Sequence, residues 1–398
     1  LRFLTEGVLT RRLLGDPQLR GVSCVVLDEF HERHLDGDVA LALLRRLQLR
    51  LRPELRLIVM SATLDGDSVA AYLQCPVIRS EGRLFPVQIS YRPHSPAPIE
   101  EQVQAALADT VATSTQGDVL IFLPGSAEIR RAIRAAEPLT RQMLLLPLYG
   151  DLSPEEQDRA VLPAARRKAI FSTNVAESSL TIDGVTVVID SGLARIARDN
   201  AFSGLATLEV ARISKASANQ RAGRAGRTAA GRVIRLYPQE DFNRRPEAET
   251  PEIARRELSS LLLSLHVMGI TPAEVPWFEP PPAHAITAAH ELLQRLGAYS
   301  NANGLARLPL HPRLATMLLA CPGADTCQLA AALSAGDRAP SPDLFSLLEA
   351  APSYQARRLA DSLRRQVRAR PHSDDDLKRA LLRGFPDRVV RAHTVLLP

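Results

Sequence analysis

The chain has 398 residues, 45% of them apolar, which suits roughly two to four domains with real cores. No apolar run is long enough to span a membrane, and residues 1–14 read as an amphipathic helix carrying Arg2, Glu6, Arg11 and Arg12 rather than as a secretory leader. The 49 Lys+Arg against 44 Asp+Glu permit a nucleic-acid partner without demanding one, and the four cysteines, Cys24, Cys75, Cys321 and Cys327, lack metal-ligand spacing. A reducing cytoplasm is the expected setting, with Cys24 a small core residue inside a strand.

After the first helix, the apolar run 22–27 predicts a buried parallel strand, and Asp28-Glu29-Phe30-His31 follows it directly. Acidic residues at the carboxyl end of such a strand lie where open α/β sheets bind ligands, although a solvated turn has the same composition. A helix is expected from about Asp36, a second strand over 55–60, then Ser61-Ala62-Thr63, which can also cap the short helix expected from Asp65. Residues 79–98 hold four prolines and read as a linker.

Strand and helix then alternate. Helices are expected over 99–113, 126–136 and 154–161, and strands over 118–123, 142–146, 169–171, 185–190 and 231–237. This alternation calls for a parallel sheet with helices on both faces. Between two of the strands lies Ser172-Thr173-Asn174-Val175-Ala176-Glu177-Ser178-Ser179-Leu180-Thr181-Ile182-Asp183-Gly184. The span 195–212 is too long for a tight turn, and an irregular surface loop is its plain reading. A helix over 216–227 contains Gln220-Arg221-Ala222-Gly223-Arg224-Ala225-Gly226-Arg227. Helical spacing lets Gln220, Arg224 and Arg227 project together, and two guanidiniums with an amide suit the charge on a transferring phosphoryl group. A solvated basic helix is the plainer alternative. Residues 252–267 put Leu258, Leu261, Leu262 and Leu265 on one helical face, 286–296 form another helix, and past Cys321 the chain is helical and arginine-rich.

Four polar stations behind buried strands, in one order, resemble the DEAH/RHA branch of superfamily 2 helicases. The segments Phe30-His31-Glu32-Arg33-His34-Leu35, Pro276-Trp277-Phe278-Glu279-Pro280-Pro281 and Gly384-Phe385-Pro386-Asp387-Arg388 are similar to the bacterial HrpB-type members. The resemblance implies an α/β fold of RecA-like, doubly wound parallel sheets followed by an all-α region. Its parts are the end of a first lobe (1–80), a second lobe (81–245), a winged-helix domain (246–320) and a helical, ratchet-like bundle (321–398), with 195–212 as the hairpin of the second lobe.

It also implies an ATP-dependent RNA helicase that couples NTP hydrolysis to movement along single-stranded nucleic acid, with ATP and Mg²⁺ as cofactors and no membrane partner. By the same resemblance Asp28 and Glu29 hold the metal, and Glu29 activates water. His31 couples the nucleotide site to the second lobe, and Gln220 places the water. Arg224 and Arg227 are arginine fingers, and Thr181 and Asp183 lie near the nucleotide sugar. Thr5, Thr173 and Asn174 meet the nucleic-acid backbone, while Ser61 and Thr63 relay closure. Val161 stands where many relatives stack the base on phenylalanine, which implies poor discrimination among bases.

Lysine occurs only at Lys168, Lys215 and Lys378, none of them after a glycine, so the phosphate-cradling Gly-x-x-x-x-Gly-Lys-Ser/Thr motif is absent from these residues. The expectation is a chain truncated ahead of motif Ib (Leu4-Thr5-Glu6-Gly7-Val8-Leu9), the alternative a natural paralogue without a P-loop. Two further alternatives stand beside the RNA helicase: a non-catalytic nucleic-acid-binding pseudo-helicase, and a helicase acting on DNA.

Overall fold

The computed structural model describes residues 1–62, 66–80, 85–113, 116–177, 180–199, 206–341, 343–368, 370 and 373–388. The chain divides into two compact units, Leu1–Cys75 with Ala197–Thr207 and Thr250–Pro398, and Pro76–Ile196 with Leu208–Glu249.

In the first unit, β1 (Cys24–Leu27) and β2 (Arg56–Val59) pair in parallel, with Val25 opposite Leu57. The strand period of two sends Val25 and Leu27 into the core and leaves Val26 about half exposed. Cys24 is exposed on that same open face, not the core residue expected, because the alternation places it with Val26. The helix Leu35–Arg50 covers the inner face, and its Val39, Leu41, Leu44 and Leu47 share one apolar core with Leu261, Leu265, Leu293, Leu314 and Leu363 of later helices. From residue 250 onward every regular element among the described residues is helical.

The second unit is built on six parallel strands in the order β3-β10-β7-β4-β6-β5. They are β3 (Val87–Tyr91), β4 (Asp118–Phe122), β5 (Leu144–Leu148), β6 (Lys168–Ser172), β7 (Val185–Asp190) and β10 (Gly231–Arg235). Alternate residues feed opposite faces. Val119 and Ile121 join the helices Ile99–Thr113 and Ser126–Ala135, while Leu120 and Phe122 join the helix Pro154–Val161 and Ala222. Strands buried on both faces explain why they read as continuous apolar runs.

The expected linker over 79–98 needs correction, since Val87–Tyr91 is a sheet strand paired in parallel with β10. Its flanking prolines hid it, and an edge position tolerates them. Pro147 likewise sits in β5, at the other edge, where the sequence pattern stops short at 146. The span 195–212 forms a two-stranded sheet of β8 (Leu193–Asp199) and β9 (Ala206–Arg212). Gly192 turns β7 into β8 with φ of +72°, and a Cβ there would fall 2.5 Å from the Arg245 guanidinium and the Tyr237 ring. The arginine segment is not one helix: the α-helix Lys215–Gly223 gives way to a 3₁₀ turn, Arg224–Gly226. Gly226 permits that turn to press on the strand entry, since a Cβ there would lie 2.8 Å from the Phe85 carbonyl oxygen.

Candidate functional site

In the first unit the polar stations meet at the carboxyl ends of β1 and β2. The Met60 amide donates to the Leu27 carbonyl (2.8 Å), and Phe30 N–H donates back to the Met60 carbonyl (3.0 Å). This exchange lifts Asp28 and Glu29 off the strand end. Asp28 is exposed, and its carboxylate accepts the Glu29 amide at 2.8 Å. Glu29 and Arg33 both adopt left-handed backbone, each with φ of +50°, on either side of the 3₁₀ turn Phe30–Glu32. Such conformations cost about 1–3 kcal/mol each in a non-glycine residue and persist only where the surroundings fix them.

Those surroundings are specific. Arg33 donates to both Asp38 carboxylate oxygens (2.9 and 3.3 Å) and to Glu279 (2.7 Å), with its guanidinium 4.9 Å over the Phe278 ring. Burial opposes its charge, but the hydrogen bonds it donates to Asp38 and Glu279 outweigh burial and raise its pKa. Phe30 and Tyr72 flank Phe278, with ring centroids 5.9 and 5.4 Å away. The Glu252 amide donates to the Arg33 carbonyl, and the Glu252 carboxylate accepts the Leu35 amide, both at 3.0 Å. The whole acidic loop is thus clamped to the helical part of the same unit. The sequence showed Arg33 and Phe278 only as pieces of quoted segments, without this contact.

His31 is nearly buried, and its Nδ1 lies 3.4 Å from Glu29 Oε2 and 3.4 Å from the Ala62 amide. The ring thus sits between the acidic loop and the Ser61–Ala62 turn. Ser61 is exposed, and Thr63 lies outside the described residues. Thr5 precedes the helix Glu6–Gly15 with no side-chain cap, so its hydroxyl is not taken up by the helix. Nearby His34 is pushed up to about 9, first by its hydrogen bond to Glu6, against burial, with Glu32 and Glu252 adding to the rise.

In the second unit the loop after β6 and the arginine segment come together. Thr173 donates its amide to Leu148 (3.2 Å), and Asn174 starts a 3₁₀ turn with its side chain exposed. Arg227 is exposed and donates to the Thr181 hydroxyl at 3.1 Å, while Asp183 is exposed on the same loop. The expectation that Gln220, Arg224 and Arg227 share one outward face is corrected. Arg224 is buried, and its guanidinium donates to the Glu177 and Leu180 carbonyls. The break from α-helix to 3₁₀ turn rotates it inward. Gln220 is half-buried on the α-helical part.

Sequence reasoning passed over Arg221, the centre of this unit. Its side chain is 1% exposed and donates to Glu177 (2.8 Å), Asp190 (2.9 Å) and the Leu193 carbonyl (3.2 Å), with the Phe122 ring 4.8 Å away. Burial works against the charge, but Glu177 and Asp190 outweigh it and raise its pKa. Asp190 also accepts from Tyr237 (2.9 Å) and from the Gly192 amide (2.9 Å). Arg221→Ala leaves buried carboxylates without their cation, and the expected loss is about 3–5 kcal/mol. Urea unfolding of the 398-residue chain measures it, and a change below about 1 kcal/mol contradicts this reading of the network.

Residues 102–229 match the family described as helicase conserved C-terminal domain. The chain is 41% identical to the ATP-dependent RNA helicase HrpB of Escherichia coli (strain K12), over 98% of this chain and 50% of that protein. It is 38% identical to an ATP-dependent RNA helicase HrpA homolog of Haemophilus influenzae, over 80% of this chain and 26% of that protein. The chain thus spans half the length of the first relative and about a quarter of the second. It superposes on a crystal structure of the Escherichia coli DEAH/RHA helicase HrpB with a TM-score of 0.86 and 39% identity, covering 96% of this chain and 51% of that one. The six-stranded parallel sheet is accordingly a RecA-like helicase sheet, with the helical region after it in sequence. In sequence and in fold, the chain belongs to the DEAH/RHA-type helicases.

Proposed function

We propose that this chain carries the metal, water and strand-contacting residues of an ATP-dependent RNA helicase, with 1–80 as the latter part of its first lobe, 81–245 as its second lobe, 246–320 as a winged-helix domain and 321–398 as a helical bundle. The observation that carries the proposal is the pair Asp28 and Glu29, held at the end of a parallel strand by a left-handed turn.

The residues fit Mg²⁺. Two hard carboxylates at one strand end suit an ion that keeps several waters and takes the remaining ligands from phosphates. Among the described residues no cluster of three or more His, Cys, Asp or Glu side chains is placed to hold a metal. Bound there, Mg²⁺ supplies charge neutralisation for the phosphates. Asp28 is the metal residue, and Glu29 orients the attacking water and accepts its proton. His31 passes the state of Glu29 to the turn at Ser61 and Ala62.

In the second unit Arg227 is the arginine for the transferring phosphate, and Gln220 places the water. Thr181 and Asp183 take the nucleotide sugar, and Arg224 holds their loop. Thr5, Thr173 and Asn174 contact the strand through hydroxyl, amide and main-chain groups, which position a backbone without reading its sequence. The HrpB and HrpA names point to RNA and to ATP. No helix of the described residues is long and apolar enough to cross a membrane. The cytoplasm is the setting we propose.

Strand binding is testable on the 398-residue chain itself. Fluorescence anisotropy with a labelled oligo(U) should show salt-dependent binding. Thr173→Ala should weaken it by about 1 kcal/mol, the worth of a single hydrogen bond. Tight binding to duplex but not to single strands would contradict the proposal.

A further inference from the structure

No role has yet been given to Glu177, whose side chain joins the loop after β6 to the arginine helix. Its Oε1 accepts from the Ser217 hydroxyl (2.5 Å) and its Oε2 from Arg221 (2.8 Å), while its carbonyl accepts from Arg224. The same Arg221 reaches Asp190 and the Leu193 carbonyl, at the root of the β8–β9 pair. The two carboxylates are not equivalent. Asp190 is 1% exposed and holds Tyr237 and the Gly192 turn as well, so it serves the sheet and its exit. Glu177 is 14% exposed and, among the described residues, meets the loop and the arginine helix.

We propose that Glu177 is a positioning residue for strand binding, joining residues 173–177 of the loop after β6 through Arg221 to the root of the β8–β9 pair so that the two move as one piece. This rests on the reading that Thr173 and Asn174 meet the nucleic-acid backbone. Three arginines, three residues apart, each take a different part of that loop. Arg221 holds the Glu177 carboxylate, Arg224 the carbonyls of Glu177 and Leu180, and Arg227 the Thr181 hydroxyl. The contacts of Arg224 and Arg227 are to main chain or hydroxyl and carry no charge pairing. The Glu177 carboxylate is therefore the charge that fixes the distance between loop and arginine helix, and through Arg221 the distance to Leu193.

Glu177→Gln tests this without removing the side chain's volume. The amide oxygen can accept from Arg221 or from Ser217 but carries no charge, whereas Asp190 still pairs with Arg221. Oligo(U) affinity should fall about tenfold, the scale of one charge-assisted hydrogen bond. Amide hydrogen exchange should quicken at Thr173, Ala176 and Glu177, whose N–H groups bond within this loop or to Leu148, and at the start of β8. Exchange in the central strands β4 and β7 should stay as in the wild type.

Ser217→Ala, which removes only the hydroxyl contact, should show the smaller change in both readouts. Unaltered exchange at 173–177 overturns the proposal whatever the affinity does, as does faster exchange throughout the six-stranded sheet, which marks a merely structural residue. If the wild-type chain fails to bind oligo(U), the strand-binding reading falls. In that case the exchange pattern alone decides whether Glu177 couples loop and hairpin.

Discussion

Arg227→Ala is expected to lower ATP hydrolysis by about three to five decades, the usual worth of an arginine finger in phosphoryl transfer. The measurement needs a phosphate cradle that these 398 residues do not contain, so it is made on a chimaera with the P-loop-bearing half-lobe of a relative placed ahead of Leu1. Arg227 is suited to the role because it is exposed and, among the described residues, meets the Thr181 hydroxyl, a contact that costs little to give up. Arg224 and Arg221 are buried among carbonyls and carboxylates and cannot be released as cheaply. RNA affinity without ATP should remain close to wild type in Arg227→Ala. Arg227→Lys separates a finger from a basic patch: a patch needs only charge, whereas a finger needs the planar fork. Full activity in the lysine variant would return the segment to an ordinary solvated basic surface.

Much of the second unit was legible because its central strands are apolar on both faces and its helices begin at clear signals. The helix Pro154–Val161 opens with Ser153 capped reciprocally by Glu156, a pattern that can be read three residues apart. The edge strands were less legible, since prolines at 86 and 147 look like breakers until a sheet edge is in view. The arginine segment shows a second limit. Helical spacing predicted one face for Gln220, Arg224 and Arg227, but the turn tightens at Gly223, and a change of pitch redirects every side chain after it.

In the acidic loop the sequence marked the carboxylates but not their support. Arg33 and Phe278 are 245 positions apart in the chain (278 − 33), and no local period connects a cation to the ring that receives it. Buried cation–ring contacts of this kind are a product of tertiary packing. The left-handed backbone at Glu29 was equally hidden, because nothing about a glutamate in a polar turn signals positive φ.

The central claim is that Glu29 activates the water that attacks the nucleotide. RNA-stimulated, Mg²⁺-dependent ATP hydrolysis by the chimaera, measured beside its Glu29→Gln variant and the 398-residue chain alone, tests it most directly. Glutamine keeps the shape and the left-handed turn but cannot take the proton, so the variant should bind ATP and lose at least about two decades of turnover. The 398-residue chain should give none above background. Near-normal turnover in Glu29→Gln would contradict the assignment of the base.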